Sequence, residues 1–184
     1  GGYTQPNLTT AGAIDLNTTS YTSTATGTLE IDFSGLTSAT SITNNGVGAN
    51  DLTAAVATNV NLGAVAIASL TAPKALTVTL GKVAAGTVTV TTVSATTVVV
   101  GGTTALTGNL AITATGNVTL SALKTVGGTT IIATAGEVNA PALTTLTGAA
   151  TITASAVNAD ALKTLTGAAT VSKASVLNLP ALTT

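Results

Sequence analysis

Apolar positions recur through the C-terminal part of the chain at an interval of about 20 residues, the signature of a stacked repeat. Residues 106–184 divide into four units, 106–125, 126–145, 146–164 and 165–184, the third one residue shorter than the others. Six columns align. They are Leu106, Val126, Leu146 and Leu165; Gly108, Gly128, Gly148 and Gly167; Ile112, Ile132, Ile152 and Val171; Val118, Val138, Val157 and Leu177; Leu120, Ala140, Ala159 and Leu179; and Leu123, Leu143, Leu162 and Leu182.

Within a unit the apolar columns alternate with polar residues, as at Leu110 and Ile112 or Val118 and Leu120. That period of two, with abundant Thr, Val and Ile, predicts strands. A single coil of this length cannot bury its own inner face, whereas coils stacked at about 4.8 Å can. The expected fold is therefore all-β, a parallel β-solenoid with about three short strands per coil. The third-column glycines predict corners where a Cβ clashes or φ is positive. Pro141 and Pro180 share a column with Ser121 and Asp160, which predicts a turn there.

Upstream the period decays. Residues 85–105 read as a slightly longer coil, with Val98 standing 20 residues before Val118. Residues 62–83 repeat the same pieces at altered spacing. Residues 29–61 hold one alternating piece, LEIDF, followed by the loop-like NNGVGAND. Residues 1–28 are rich in Thr and Ser without an inward-facing period, and are expected to be an N-terminal arm or cap. The solenoid is expected over 29–184.

The pattern Pro-Ala-Leu-x-Thr-[Leu/Val]-x-Gly-x-x-x-[Ile/Val], at 141–152 and nearly so at 121–132, resembles the leucine-rich β-helix repeat of receptor L domains. Related repeats of fungal cell-wall and bacterial surface proteins are similar. The resemblance covers about 80 residues well. It implies a surface-exposed solenoid. The chain departs from the family in lacking Cys caps, in having almost no aromatic residues, and in placing Ala where the family often has Leu or Asn. The resemblance therefore does not imply growth-factor binding.

Composition changes the picture in one direction. The 184 residues are 45% hydrophobic, 6% charged and 2% aromatic, against roughly a quarter charged in ordinary domains. Mean hydropathy is +0.60. The apolar content suffices for a core, so disorder is not expected. Five Lys against six acids give a net charge of −1, with no basic patch for nucleic acid. Cys is absent, which removes disulfides and thiolate metal sites. The best apolar window, 54–72, is interrupted by Asn59 and Asn61, so no membrane span is expected. The opening GGYTQPNLTT reads as a mature product whose leader has been removed, or as part of a longer chain. Secretion to the extracellular space or cell surface fits best.

The search for chemistry yields little. With no His, only Lys74, Lys82, Lys124, Lys163 and Lys173 offer a base for a Ser or Thr nucleophile, and none sits in a Ser-x-x-Lys setting. The acids Asp15, Glu30, Asp32, Asp51, Glu137 and Asp160 come without the aromatic platform that a polysaccharide-cleaving groove uses. No enzyme is expected and no cofactor is required. Glu30 and Asp32 alternate on a predicted strand and, with Asp51 or Asp15, are weak candidates for Ca²⁺ ligands. Three sequons, at Asn7, Asn17 and Asn117, are of a kind that a Thr- and Asn-rich chain produces by chance. Lys124 and Lys163 share a column with Thr144 and Thr183, a placement that discourages lateral strand pairing. Thr-x-Thr pieces occur at 77–79, 87–89, 113–115 and 151–153, yet Thr151 and Thr153 align with Ile131 and Ala133 and with Ala111 and Thr113. That interruption argues against an ice-binding plane.

The ends carry the functional expectation. The last unit closes on a full coil, and an uncovered solenoid end exposes unpaired backbone groups over an apolar core. The expected role is a structural subunit of an extracellular filament or surface layer, stacking head to tail with itself. Leu179, Leu182, Thr183 and Thr184 at one end, and Tyr3 and Tyr21 in an arm able to donate a strand, are the expected assembly residues. The alternative is an adhesin or recognition module of a longer repeat protein, meeting surface glycans or other cells.

Overall fold

The computed structural model describes residues 2–5, 13–15, 20–23, 29–32, 41–44, 49–53, 59–62, 67–83 and 85–182. Among these the regular structure is entirely β, and every strand pair is parallel. The chain winds as a parallel β-solenoid whose strands fall into three sheets.

The first sheet contains, in spatial order, Gly2–Gln5, Ser20–Ser23, Ser41–Asn44, Asn59–Leu62, Thr77–Leu80, Thr97–Val100, Asn117–Leu120, Glu137–Asn139, Ala156–Asn158 and Val176–Asn178. The second contains Ala13–Asp15, Leu29–Asp32, Ala49–Thr53, Ser69–Thr71, Val88–Thr92, Leu110–Ala114, Thr130–Ala133, Ala150–Thr153 and Ala169–Ser172. The third is short: Ala105–Leu106, Thr125–Val126, Thr145–Leu146 and Thr164–Leu165. It begins where the regular repeat begins in the sequence.

Register follows the columns. Ile112 pairs with Ile132, Ile132 with Ile152 and Ile152 with Val171 in the second sheet. Val98, Val118, Val138, Val157 and Leu177 pair in turn in the first. Leu106, Val126, Leu146 and Leu165 do so in the third. The paired residues face inward and stack into one core running along the axis, where Leu70, Leu80, Leu110, Ile112 and Leu120 are fully buried. Each such side chain contributes about 1.5–3 kcal/mol by leaving water. No coil has a core of its own; each inner face is completed by the coils above and below.

The corner glycines work by close approach. A Cβ on Gly148 would lie 2.3 Å from the carbonyl oxygen of Gly128, and one on Gly167 would lie 2.3 Å from that of Gly148. Stacked backbones meet there with no room for a side chain. Positive φ, the other reason expected for these glycines, occurs among the described glycines only at Gly102. A second glycine column, Gly116 over Gly136, has the same cause.

Threonine at the corners has a second duty. Thr96 donates its hydroxyl to the Leu76 carbonyl (3.1 Å), Thr144 to Lys124 (3.0 Å), Thr147 to Gly127 (2.8 Å) and Thr166 to Thr147 (3.0 Å). Each bond spans about one coil and adds a side-chain donor between coils; the Leu76 and Lys124 carbonyls also accept backbone amides of the next coil. The expected turn is present: the Leu143 amide donates to the Ala140 carbonyl (3.1 Å) around Pro141, and Leu182 repeats this with Leu179 (3.2 Å) around Pro180.

The short unit loses its residue at the corner between the second and first sheets. That corner is 134–136 in one coil, 154–155 in the next and 173–175 in the last. On returning to the longer form, Lys173 adopts a φ of 65°. Upstream the same corner is longer, at 72–76 and 93–96. Strand Ala49–Thr53 takes up part of the stretch expected as a loop, because Asp51 and Leu52 pair with Ser69 and Leu70. The segment 1–28, expected as an arm or cap, contributes Gly2–Gln5 and Ser20–Ser23 to the first sheet and Ala13–Asp15 to the second.

Candidate functional site

The outward faces of the sheets are surfaces available to a partner. The outward face of the second sheet is flat and uncharged from Ser69 to Ser172. Its two outward columns read Ser69, Thr89, Ala111, Ile131, Thr151, Thr170 and Thr71, Thr91, Thr113, Ala133, Thr153, Ser172. Hydroxyl pairs therefore stand on the coils of Ser69, Thr89, Thr151 and Thr170, and Ala and Ile interrupt them between. Ile131 is 48% exposed in the middle of this face. The Thr-x-Thr pieces at 77–79 and 151–153 lie on different sheets, so they do not build one array.

The first sheet shows a mixed polar face. Thr119, Asn139, Asn158 and Asn178 form one outward column, and the Asn158 side-chain amide donates to that of Asn139 at 3.1 Å. Asn178 turns instead to the Asp160 carboxylate at 2.7 Å. Asn117, the one sequon in the described residues, uses its side-chain oxygen to accept the Glu137 amide at 3.0 Å. The Asn ladder went unnoticed in the sequence, although Asn at 139, 158 and 178 repeats with the coil.

The lysine column is as expected. Backbone bonds stack Thr104, Lys124, Thr144 and Lys163 on successive coils. Both lysines are exposed.

The acidic candidates come together by register. Glu30 pairs with Asp51 in one column of the second sheet, and Asp15 with Asp32 in the next column but one. Four of the chain's six acids thus occupy neighbouring positions on the first coils. Among the residues whose side chains are described, no group of three or more potential ligands is close enough to hold a metal. Among the described residues no helix is long and apolar enough to cross a membrane.

The expected assembly residues divide. Leu179 and Leu182 are partly buried against the core of the last coil. Tyr3 and Tyr21 are register partners on adjacent strands of the first sheet. Thr183 and Thr184 lie outside the described residues.

The last described coil has a described neighbour on one side only, and its inward residues are more exposed for that reason. Val171 is 36% exposed where Ile152, its partner one coil down, is 8% exposed. Leu177 is 54% exposed where Val157 is 3% exposed. Val176 is exposed as well. Val171 and Leu177 keep the columns and register of the coils described below them. No family model, no curated protein and no solved structure matches this chain.

Proposed function

We propose that the chain is a structural subunit of an extracellular filament or surface layer, built by end-to-end stacking of solenoid coils. The observation that supports this reading is the shared register of successive coils, whose inner faces are each completed by the coils stacked on them. A surface of that kind is completed by another coil in the same register, with backbone groups of the open sheet edges as its hydrogen-bonding partners. A head-to-tail contact between identical copies is heterologous and propagates unless it closes into a ring. The low charge of the outward faces agrees with such packing, since exposed charge is the usual defence against edge-to-edge growth.

The test places charge on the growing face. Leu177→Lys and Val171→Lys alter residues already exposed in a single copy, so their fold is expected to persist. Negative-stain images and light scattering of the full chain are expected to show elongated particles for the wild type and single copies for both variants. A wild-type chain that stays monomeric at high concentration would sink the proposal.

The second reading, a recognition module meeting glycans or cells along one face, draws on the flat uncharged face from Ser69 to Ser172. It expects a monomer whose cell or glycan binding is lost when Thr151→Lys and Thr91→Lys are combined.

A further inference from the structure

The C-terminal coils surround a narrow, partly open apolar space along the solenoid axis, with a cavity volume of about 50 Å³. It reaches from the coil of Leu110 to the coil of Leu177, and its accessible lining is wholly apolar. Its origin lies in two inward columns that thin at the same level. One runs Leu120, Ala140, Ala159, Leu179, and the other Leu110, Thr130, Ala150, Ala169. The strand ladders on three sides fix the rung spacing, so the coils cannot collapse onto the stacked alanines. Side chains removed from a rigid frame leave their volume behind.

Water is a poor occupant. A buried water needs two to four polar partners. The polar side chain in this lining belongs to Thr130, which is 3% exposed and whose hydroxyl has no hydrogen-bond partner. One hydroxyl cannot satisfy a water, whereas apolar cavities of this type stay dry and take apolar guests. A cavity of about 150 Å³ accepts benzene, so a guest here is about a third of that size.

We propose that this space is a binding site for small apolar molecules, of the size of a xenon atom or a two-carbon hydrocarbon. The guest restores the dispersion contacts that Ala140, Ala150 and Ala159 forfeit and ties together the coils next to the exposed end. Val171 and Leu177 at the upper end of this lining also belong to the face on which a further coil would stack, whereas Ile132, Val138 and Ala140 lie coils below it.

The test uses xenon as the probe and the full chain in solution. Methyl resonances of Ile132, Val138 and Ile152 are expected to shift saturably in xenon-equilibrated buffer relative to nitrogen-equilibrated buffer. Ala159→Val, which adds two carbons to the space, is expected to abolish the response and to melt about 2–4 °C higher. Ala140→Val serves as the second variant if the first does not fold. Absence of the shifts in the wild type, or their persistence in a folded filled variant, overturns the proposal. So does a lower melting temperature for both variants, since it would mean that the space is not there.

Discussion

Asn158 donates a side-chain hydrogen bond of 3.1 Å to Asn139, its register partner one coil below. The two amides are half-buried, so the bond is partly shielded from competing water. Asn158→Ala breaks it and leaves the Asn139 carbonyl oxygen without that partner. The expected cost is about 1 kcal/mol, read as a lower urea midpoint with an unchanged slope. No change in midpoint would show that the ladder is decoration.

The Thr130 hydroxyl stands in an inward column between Leu110 and Ala150 with no partner. Val has almost the same shape and no hydroxyl to desolvate. Thr130→Val is expected to stabilise the chain by about 1–2 kcal/mol. Thermal and urea unfolding check this, and a destabilised variant would mean that the hydroxyl is satisfied in solution.

Two glycines give opposite outcomes under one substitution. Gly148→Ala drives a methyl to within 2.3 Å of a backbone oxygen on the coil below, and the backbone there cannot move without parting the sheets. A loss of about 3 kcal/mol or more is expected, the scale of the severe core lesions. Gly86→Ala meets nothing within 4 Å and is expected to be neutral or stabilising by up to about 1 kcal/mol. Equal effects would refute the close-stacking account of the glycine column.

Pairing of Glu30 with Asp51 and of Asp15 with Asp32 sets like charges on neighbouring rungs. Opposed like charges destabilise a sheet. Asp32→Asn in chelator-containing buffer is therefore expected to raise stability by about 0.2–1 kcal/mol. Repeating the comparison in millimolar Ca²⁺ tests the calcium expectation. If Asp32 is a ligand, the metal raises the wild-type melting temperature and reverses the order of the two proteins.

The sequence revealed the fold best where the corners keep constant length. From Leu106 onward, the corners from the third to the second sheet are 107–109, 127–129, 147–149 and 166–168, so apolar columns align by simple counting. Upstream, the corners at 72–76 and 93–96 shift the first-sheet columns relative to the second, and the third sheet has no strand before Ala105 among the described residues. The period blurs there although the strands still pair. Ala49–Thr53 was hidden for a further reason. Asn50 and Asp51 are weak strand residues, and the pairing of Asp51, Leu52 and Thr53 with Ser69–Thr71 is a long-range fact that local preference does not record. The Thr pairs on the second sheet were obscured because a repeated Thr-x-Thr does not say which sheet carries it.

The variable corner between the second and first sheets has a consequence for how such a chain can be altered. It spans 93–96, 115–116, 134–136, 154–155 and 173–175 in successive coils, while the registers on either side persist. Length there is decoupled from the winding of the molecule. A foreign peptide spliced between Ala135 and Gly136 would leave the surrounding ladders intact and project from the flank. Repeated on several coils, it would present copies in a row at the rung spacing of the sheets, a ruler-like display that few compact folds offer.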